Sequence, residues 1–416
     1  MRSIPALGTL PSHWGIERTK WLLERRRRDV RPGDGIVTAF RDGQVTLREN
    51  RRTEGFTNAI QEIGYQGIRR GDLVVHGMDG FAGAIGVSDS DGKASPVVHT
   101  YVTSQRMDAR YVAYVLRTMA LNGYVTTLAK GIRERSTSFD APTLANVQLP
   151  VPPLTEQRRI SDFLDTETSR IDVMSQRFRR LAELAQDRIR AIIDAAFAEY
   201  EHTSRVPVST VCRAIIDCVN KTAPVSAEAT PYKMIRTSNI RSGEVDLANT
   251  FSVEKEVFTE WNRRGAPRPG DVLFTREAPL GQVGMLRSEE RVFLGQRIML
   301  YRANELRIRK ELLLFNFLGS HMNHQLRLLG AGSLHEHMRV GDGLKLQVFC
   351  PPLAQQDALI AQIQEGRNAS LRLFDLAEKQ LSLLGERRQA LITAAVTGQF
   401  NVTTASGRNV TEGVTG

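Results

Sequence analysis

Cysteine is scarce in this chain: three in 416 residues, at Cys212, Cys218 and Cys350. An odd and small count rules out a disulfide framework, so a reducing cytoplasm is the expected setting. The Asn-x-Thr sequons at Asn401 and Asn409 then carry no meaning. No run of about 18 apolar residues is present, so no membrane partner is expected. The opening MRSIPALGTLPSHW lacks the apolar core of a signal peptide. Aromatics make up 6% and form no stacking cluster, which argues against single-strand RNA recognition.

Motifs of chemistry are missing as well. There is no G-x-x-x-x-G-K-[ST] loop, so ATP-driven translocation by this chain is not expected. Gly80, Gly83 and Gly86 are spaced GxxGxxG, a pattern of turns rather than of a dinucleotide cradle. The two Pro-Pro pairs are preceded by Val151 and Cys350 and followed by Leu154 and Leu353. An amino-methyltransferase motif needs Asn or Asp before the pair and an aromatic after it. His321, His324, His335 and His337 lack the Cys or carboxylate spacing of a zinc site, and Cys212 and Cys218 are too far apart for C-x2-C. No Ser-His-Asp arrangement stands out. A self-sufficient enzyme is thereby disfavoured, and neither a catalytic nor a metal-ligating residue is assigned.

What is present is positive charge and repetition. Lys plus Arg number 56 against 46 acidic residues, a formal +10. That excess favours a polyanionic partner, although arginine-rich codon usage would produce it too. The repetition is more specific. Pro-Pro-Leu-x-x-Gln occurs at Pro152–Gln157 and again at Pro351–Gln356, 199 residues later. GDLVV at Gly71–Val75 and GDVLF at Gly270–Phe274 share the offset, as do RAIIDAA at Arg190–Ala196 and QALITAA at Gln389–Ala395. Three separated matches at one spacing mark a tandem duplication.

Each copy ends in a long helix. Apolar positions run Ile160, Phe163, Ile171, Met174, Phe178, Leu181, Ala185, Ile189, Ile192 and Ala196, with steps of three or four except across Glu167. Ile360, Ile363, Leu371, Phe374, Leu381, Leu384, Leu391 and Ala395 repeat the stripe. Proline is absent from both segments and sits at their entrances, where a helix tolerates it. A rod of about 45 residues would be roughly 65–70 Å long and needs a partner for its stripe. The duplicate is the expected partner, pairing as an antiparallel coiled coil; packing of each rod on its own globular part is the alternative.

The globular parts read as mixed α+β units. DLVVHG, AIGVSDSDG and VVHTYVT give strands in the first copy; DVLFTRE, QVGMLRSEERVFL and QRIMLYRA give them in the second. A helix is predicted over Asp108–Gly123 and another over Arg309–Gly330. The layout is therefore a recognition domain at 1–154, a spacer helix at 155–200, a second domain at 201–353, a second helix at 354–399 and a disordered tail at 400–416.

Arginine clusters at the turns are the candidate phosphate contacts: Arg25, Arg26, Arg27, Arg28, Arg51, Arg52, Arg69, Arg70, Arg133, Arg135, Arg263, Arg264 and Arg268. Arg236, Asn239 and Gln282 carry the forked groups suited to base edges.

In order and duplication these features resemble the specificity (S) subunits of type I restriction–modification systems. The resemblance rests on LPSHWGIERTKWL (Leu10–Leu22), IRTSNIRSG (Ile235–Gly243), RPGDVLFTREAPLGQVG (Arg268–Gly284), the repeated doorway and RRQALITAAVTGQF (Arg387–Phe400). It covers residues 1–400; the first copy's GDLVVHGMDGFAGAIG is a looser match. It implies two target-recognition domains, each reading half of a split double-stranded DNA site. The helices would act as a ruler and dock two methyltransferase (M) subunits, with restriction (R) subunits joining to translocate and cut. S-adenosylmethionine, ATP and Mg would sit on those partners and no cofactor on this chain. A coiled-coil scaffold or adaptor with protein-binding ends explains the rods but not the arginine-rich domains.

Overall fold

The computed structural model describes residues 2–51, 62–128, 139–200, 205–330, 337–399 and 402. It falls into two compact units, Met1–Gln176 with Leu381–Gly416, and Arg177–Gln380, so each unit contains part of both rods. The tail expected to be disordered lies outside the described residues except for Val402.

The first unit is built on a four-stranded antiparallel sheet in the order Leu23–Arg26, Val98–Thr103, Leu73–His76, Ile85–Val87. Leu73, Val74 and Val75 are all fully buried, as a continuous apolar run covered on both faces requires. Helix Ala109–Leu121 covers one face through Tyr111, Val115 and Met119. It begins where it does because the Asp108 carboxylate accepts the N–H groups of Arg110 and Tyr111. Val37, Val45, Ile68, Val74 and Val98 fill a smaller core on the other face.

The second unit repeats the plan. Its strands run Cys212–Asp217, Ile298–Ala303, Val272–Thr275, Val283–Met285, and two further strands, Gly243–Val245 and Ile240–Arg241, extend the sheet. Leu73 sits between Tyr101 and Val87; 199 residues later, Val272 sits between Tyr301 and Met285. The sequence offset is thus a structural register. One predicted element differs. The helix expected over Arg309–Gly330 is two, Lys310–Leu318 and Ser320–Gly330, because Gly319 takes an extended ψ of 156°. Ser320 N–H is capped by the Asp194 carboxylate at 2.8 Å.

Both globular parts open and close on paired strands. Gly15–Arg18 runs antiparallel to Gln148–Val151, and Arg205–Pro207 to Gln347–Phe349. The chain therefore enters and leaves each part at one place.

The rods span Leu154–Phe197 and Leu353–Val396, 44 residues each. In the first unit Ile160 and Leu164 share a core with Ile392, Ala395 and Val396, and Asp172 pairs with Arg388. In the second, Ile193, Ala196 and Phe197 share a core with Leu359, Ile360 and Ile363. In each unit one helix ascends as the other descends, so the pairing is antiparallel, and the domain core takes up both. Two details depart from the expected stripe. Leu181 is 36% exposed while Ala182 beside it is buried, and the break in the stripe is filled by buried Glu167, ion-paired to Arg170, and Thr168.

The helices approach closely at Gly366, where a Cβ would lie 2.9 Å from Ile192 Cγ2. Gly366→Leu is expected to overpack this contact and cost about 1–3 kcal/mol, despite leucine's better helix propensity. Thermal unfolding of the full chain checks it.

Candidate nucleic-acid interface

The doorway has a mechanical role. Gln157 is completely buried, and its Oε1 accepts Asp108 N–H at 2.9 Å. Its Nε2 donates to the carbonyls of Arg106 and Pro152 at 3.0 and 2.9 Å. Gln356, equally buried, does the same: Oε1 accepts Arg309 N–H at 2.8 Å, and Nε2 donates to the carbonyls of Arg307 and Pro351 at 2.9 and 2.8 Å. Asp108 and Arg309 are the N-caps of the helices lying on the two sheets. Each amide thus bolts the first turn of a rod to the same backbone point of its domain. Arg110 with Asp162 and Asp165, and Arg309 with Asp357, brace the joints from outside.

The shared spacing of GDLVV and GDVLF within the repeat has a parallel explanation. Asp72 and Asp271 are buried and accept the N–H of Arg69 and Arg268 at 2.8 and 2.7 Å. Each is also gripped by a guanidinium fork, from Arg28 at 2.5 and 3.0 Å and from Arg302 at 2.8 and 2.7 Å. Arg28 follows the edge strand, whereas Arg302 lies on the neighbouring inner strand. The carboxylate keeps its place in the repeat and the cation does not.

These contacts sort the sequence candidates. Arg28 and Arg69 are corrections: Arg28 is committed to Asp72, and Arg69 turns inward to Asp34 at 3.3 Å and to the Ile68 carbonyl at 2.7 Å. Asn239 is another. It is 3% exposed, its Oδ1 accepts Arg236 N–H, and its Nδ2 donates to the Asn249 carbonyl, so no fork remains for a base. Arg236 lies over Phe251 at 3.8 Å and donates to that same carbonyl. Arg51 stacks on Phe40 and bonds Asp42; burial raises the pKa of that carboxyl, but the Arg51 hydrogen bond, the Gln44 N–H and the charges of Arg51 and Arg117 together outweigh it and leave it lowered.

Arg25 meets His99 Nδ1 at 2.8 Å and Arg26 meets Glu24 at 2.8 Å. Arg263 pairs with Glu260 at 3.8 Å; Arg264 reaches Asp217 and the Cys218 carbonyl. Arg27, Arg70 and Arg268 are exposed, with side chains that have no partner among the described residues, as a phosphate contact requires. Arg52, Arg133 and Arg135 lie outside the described residues.

Gln282 lines a cleft of about 260 Å³ in the second unit, together with Gln186, Arg190, Arg241, Ser242 and Asn323. Arg190 and Arg241 were not singled out from sequence, because lone arginines in a chain this basic give no signal.

The remaining reactive groups serve packing. His321 stacks edge-on against Phe349 and Phe197, and burial, helped by the Arg205 charge, pushes its pKa down to about 4. Burial pushes the Cys212 thiol up to about 12 and Cys350 upward as well. No group of three or more metal-binding side chains occurs among the described residues, and His335 lies outside them. No helix among the described residues is long and apolar enough to cross a membrane.

No family model matches the chain. The type I restriction enzyme EcoBI specificity subunit of Escherichia coli is 24% identical over 253 residues, covering 55% of this chain and 52% of that protein. The chain thus spans about half the length of the curated relative it matches. A chain solved in work on complex assembly and conformational transition of the type I R-M system matches with a TM-score of 0.56 at 18% identity, over 94% of this chain and all of that one. That likeness is one of fold. The HsdS subunit from Thermoanaerobacter tengcongensis matches over 96% of this chain with a TM-score of 0.41 at 19% identity. The resemblance to type I specificity subunits, drawn from the doorways and the repeat, is borne out.

Proposed function

We propose that this chain is the non-catalytic DNA-specificity subunit of a type I restriction–modification complex. Each domain reads one half of a bipartite duplex target, and the rods set the number of unread base pairs between them. Methyltransferase and restriction subunits dock on the chain and carry S-adenosylmethionine, ATP and Mg.

The observation that carries this reading is the duplicated latch. One chain holds two versions of one sheet, and a buried glutamine fixes each to the start of its own rod. A reader of two separated blocks needs two such platforms, each rigid relative to its spacer. The +10 charge and the partner-free Arg27, Arg70 and Arg268 support a phosphate-bearing ligand.

The test is single-molecule methylation sequencing of DNA from cells carrying this chain with its methyltransferase partner. An adenine-methylated motif of two short blocks around an unread gap is expected. With an active methyltransferase present, absence of any such motif would overturn the reading.

A further inference from the structure

Each unit carries a hairpin whose tip is an arginine followed two residues later by a left-handed glycine. These are Arg41-Asp42-Gly43 and Arg241-Ser242-Gly243, with Gly43 at φ +91° and Gly243 at φ +93°. A helical arginine leans on each tip. A Cβ on Gly43 would fall 2.0 Å from Arg117 Nη1, and one on Gly243 would fall 3.4 Å from Arg367 Nη2. Arg117 comes from helix Ala109–Leu121 and Arg367 from the second rod, positions that the repeat does not relate. Two unrelated places in the chain deliver the same group to the same feature.

Neither guanidinium is hydrogen-bonded to a carboxylate among the described residues, although the charges of Asp42 and Glu244 reach Arg117 and Arg367 respectively. Arg117 makes one hydrogen bond, to the Arg41 carbonyl at 3.3 Å; Arg367, 6% exposed, makes none among the described residues and lies over the Phe315 ring at 5.2 Å. The Nε of each is buried without a partner. Nearby acids are engaged elsewhere, Asp42 by Arg51 and Glu244 by Arg287 at 3.1 and 3.3 Å. Burial lowers the pKa of both groups; Arg388 adds to the effect on Arg117 while Asp42 opposes it, and on Arg367 the Glu244 charge opposes burial and Arg287 reinforces it. Arg117 is half-buried and Arg367 buried, and a cation desolvated without an ion pair gains when a counter-anion reaches it.

We propose that this hairpin seam binds a phosphate of the duplex backbone, with Arg367 and Arg241 as donors in the second unit and Arg117 as the counterpart in the first. The planar guanidinium matches paired phosphate oxygens. Arg241 is exposed without a side-chain partner and shares its cleft with Gln282 and Asn323, donors suited to the adjoining sugar and base edges, and with Arg190, which pairs with Asp187 at 3.5 Å. The inference rests on the DNA-specificity reading and locates its backbone contacts at the seam.

The experiment is titration of the full chain with a mixed-sequence duplex across a range of KCl concentrations. Arg367→Gln and Arg241→Gln should each lower the slope of log K against log salt by about 1, whereas Arg367→Lys should retain it. Wild-type slopes in both glutamine variants would remove the seam from the interface. Unchanged slopes with weakened retention of the methyltransferase partner would instead assign the anion to a protein carboxylate, and the proposal would fail. Arg241 is exposed, so its variant reports even if Arg367→Gln does not fold. Absence of salt-dependent duplex binding by the wild-type chain would bring down the DNA-specificity reading, and the seam with it.

Discussion

Gln356→Leu is expected to destabilise the second unit by about 3–6 kcal/mol, with Gln157→Leu doing the same to the first. Leucine fills nearly the same volume, so the cost is polar rather than a cavity. At Gln356 the change leaves Arg309 N–H and the Pro351 carbonyl without their partner, and the Arg307 carbonyl with only the Cys350 thiol at 3.4 Å. A buried backbone group stripped of its partner costs about 1–3 kcal/mol, and three are affected. Gln356→Glu should be no remedy, because it keeps an acceptor for the N–H but sets a carboxylate against two carbonyls. Urea unfolding of the full chain gives the measurement. A loss below about 1 kcal/mol would mean that water enters and replaces the amide, and the latch would then be a minor contact. Under the DNA-specificity reading a further effect separates the two variants: each should loosen discrimination at one half-site and leave the other intact.

The latch also shows what the sequence could and could not disclose. Pro-Pro-Leu-x-x-Gln was visible as a repeated string, and the prolines explained themselves as a helix entrance. Nothing in the string tells that the glutamine faces inward, since its three partners are backbone groups about 50 residues upstream and at the entrance itself. The strands around Leu73–Val75 and Val272–Phe274 were legible because apolar runs opened by Gly-Asp have few other uses. The break at Gly319 was not, because the apolar run continues through it and the capping Asp194 lies over 120 residues away. Candidate contacts fared worst. Arg28, Arg69 and Asn239 look from sequence like any exposed polar residue at a turn, yet each is spent on the fold. Arg117 and Arg367 lie in ordinary helical positions and become unusual only where tertiary packing partly or wholly buries them without a direct ion pair. Charge patterns report how much charge is present; which charge is free depends on the fold.

Exchanging Ile16–Pro150 for the corresponding domain of a relative is expected to replace one half-site of the methylated motif and leave the other half-site unchanged. Three features of the first unit favour a clean exchange. The cut points lie on adjacent strands, with Ile16 directly opposite Pro150, so the inserted domain needs only matching ends. The latch survives, because Gln157 touches the main chain at Arg106 and Asp108 and, apart from a 3.6 Å approach to Met107 sulfur, asks nothing of the side chains there. Trp14, which lies outside the exchanged segment, stays bonded to Glu156 of the rod at 3.1 Å and keeps the rod's own surface intact. The demanding contacts are Arg110 and Tyr114, which bond Asp165 of the rod, and Tyr111, fully buried and set edge-on to Trp14 at 6.5 Å; an incoming domain with a small residue at Tyr111 would leave a cavity costing about 3–5 kcal/mol. A relative with an aromatic at that position is therefore the donor of choice. Methylation sequencing decides the outcome. If both half-sites change, or the replaced domain leaves both intact, reading is not divided between the two copies and the duplicated latch serves another purpose. A change confined to one block would show that a main-chain latch lets a domain's sequence diverge with its target while its mounting stays fixed.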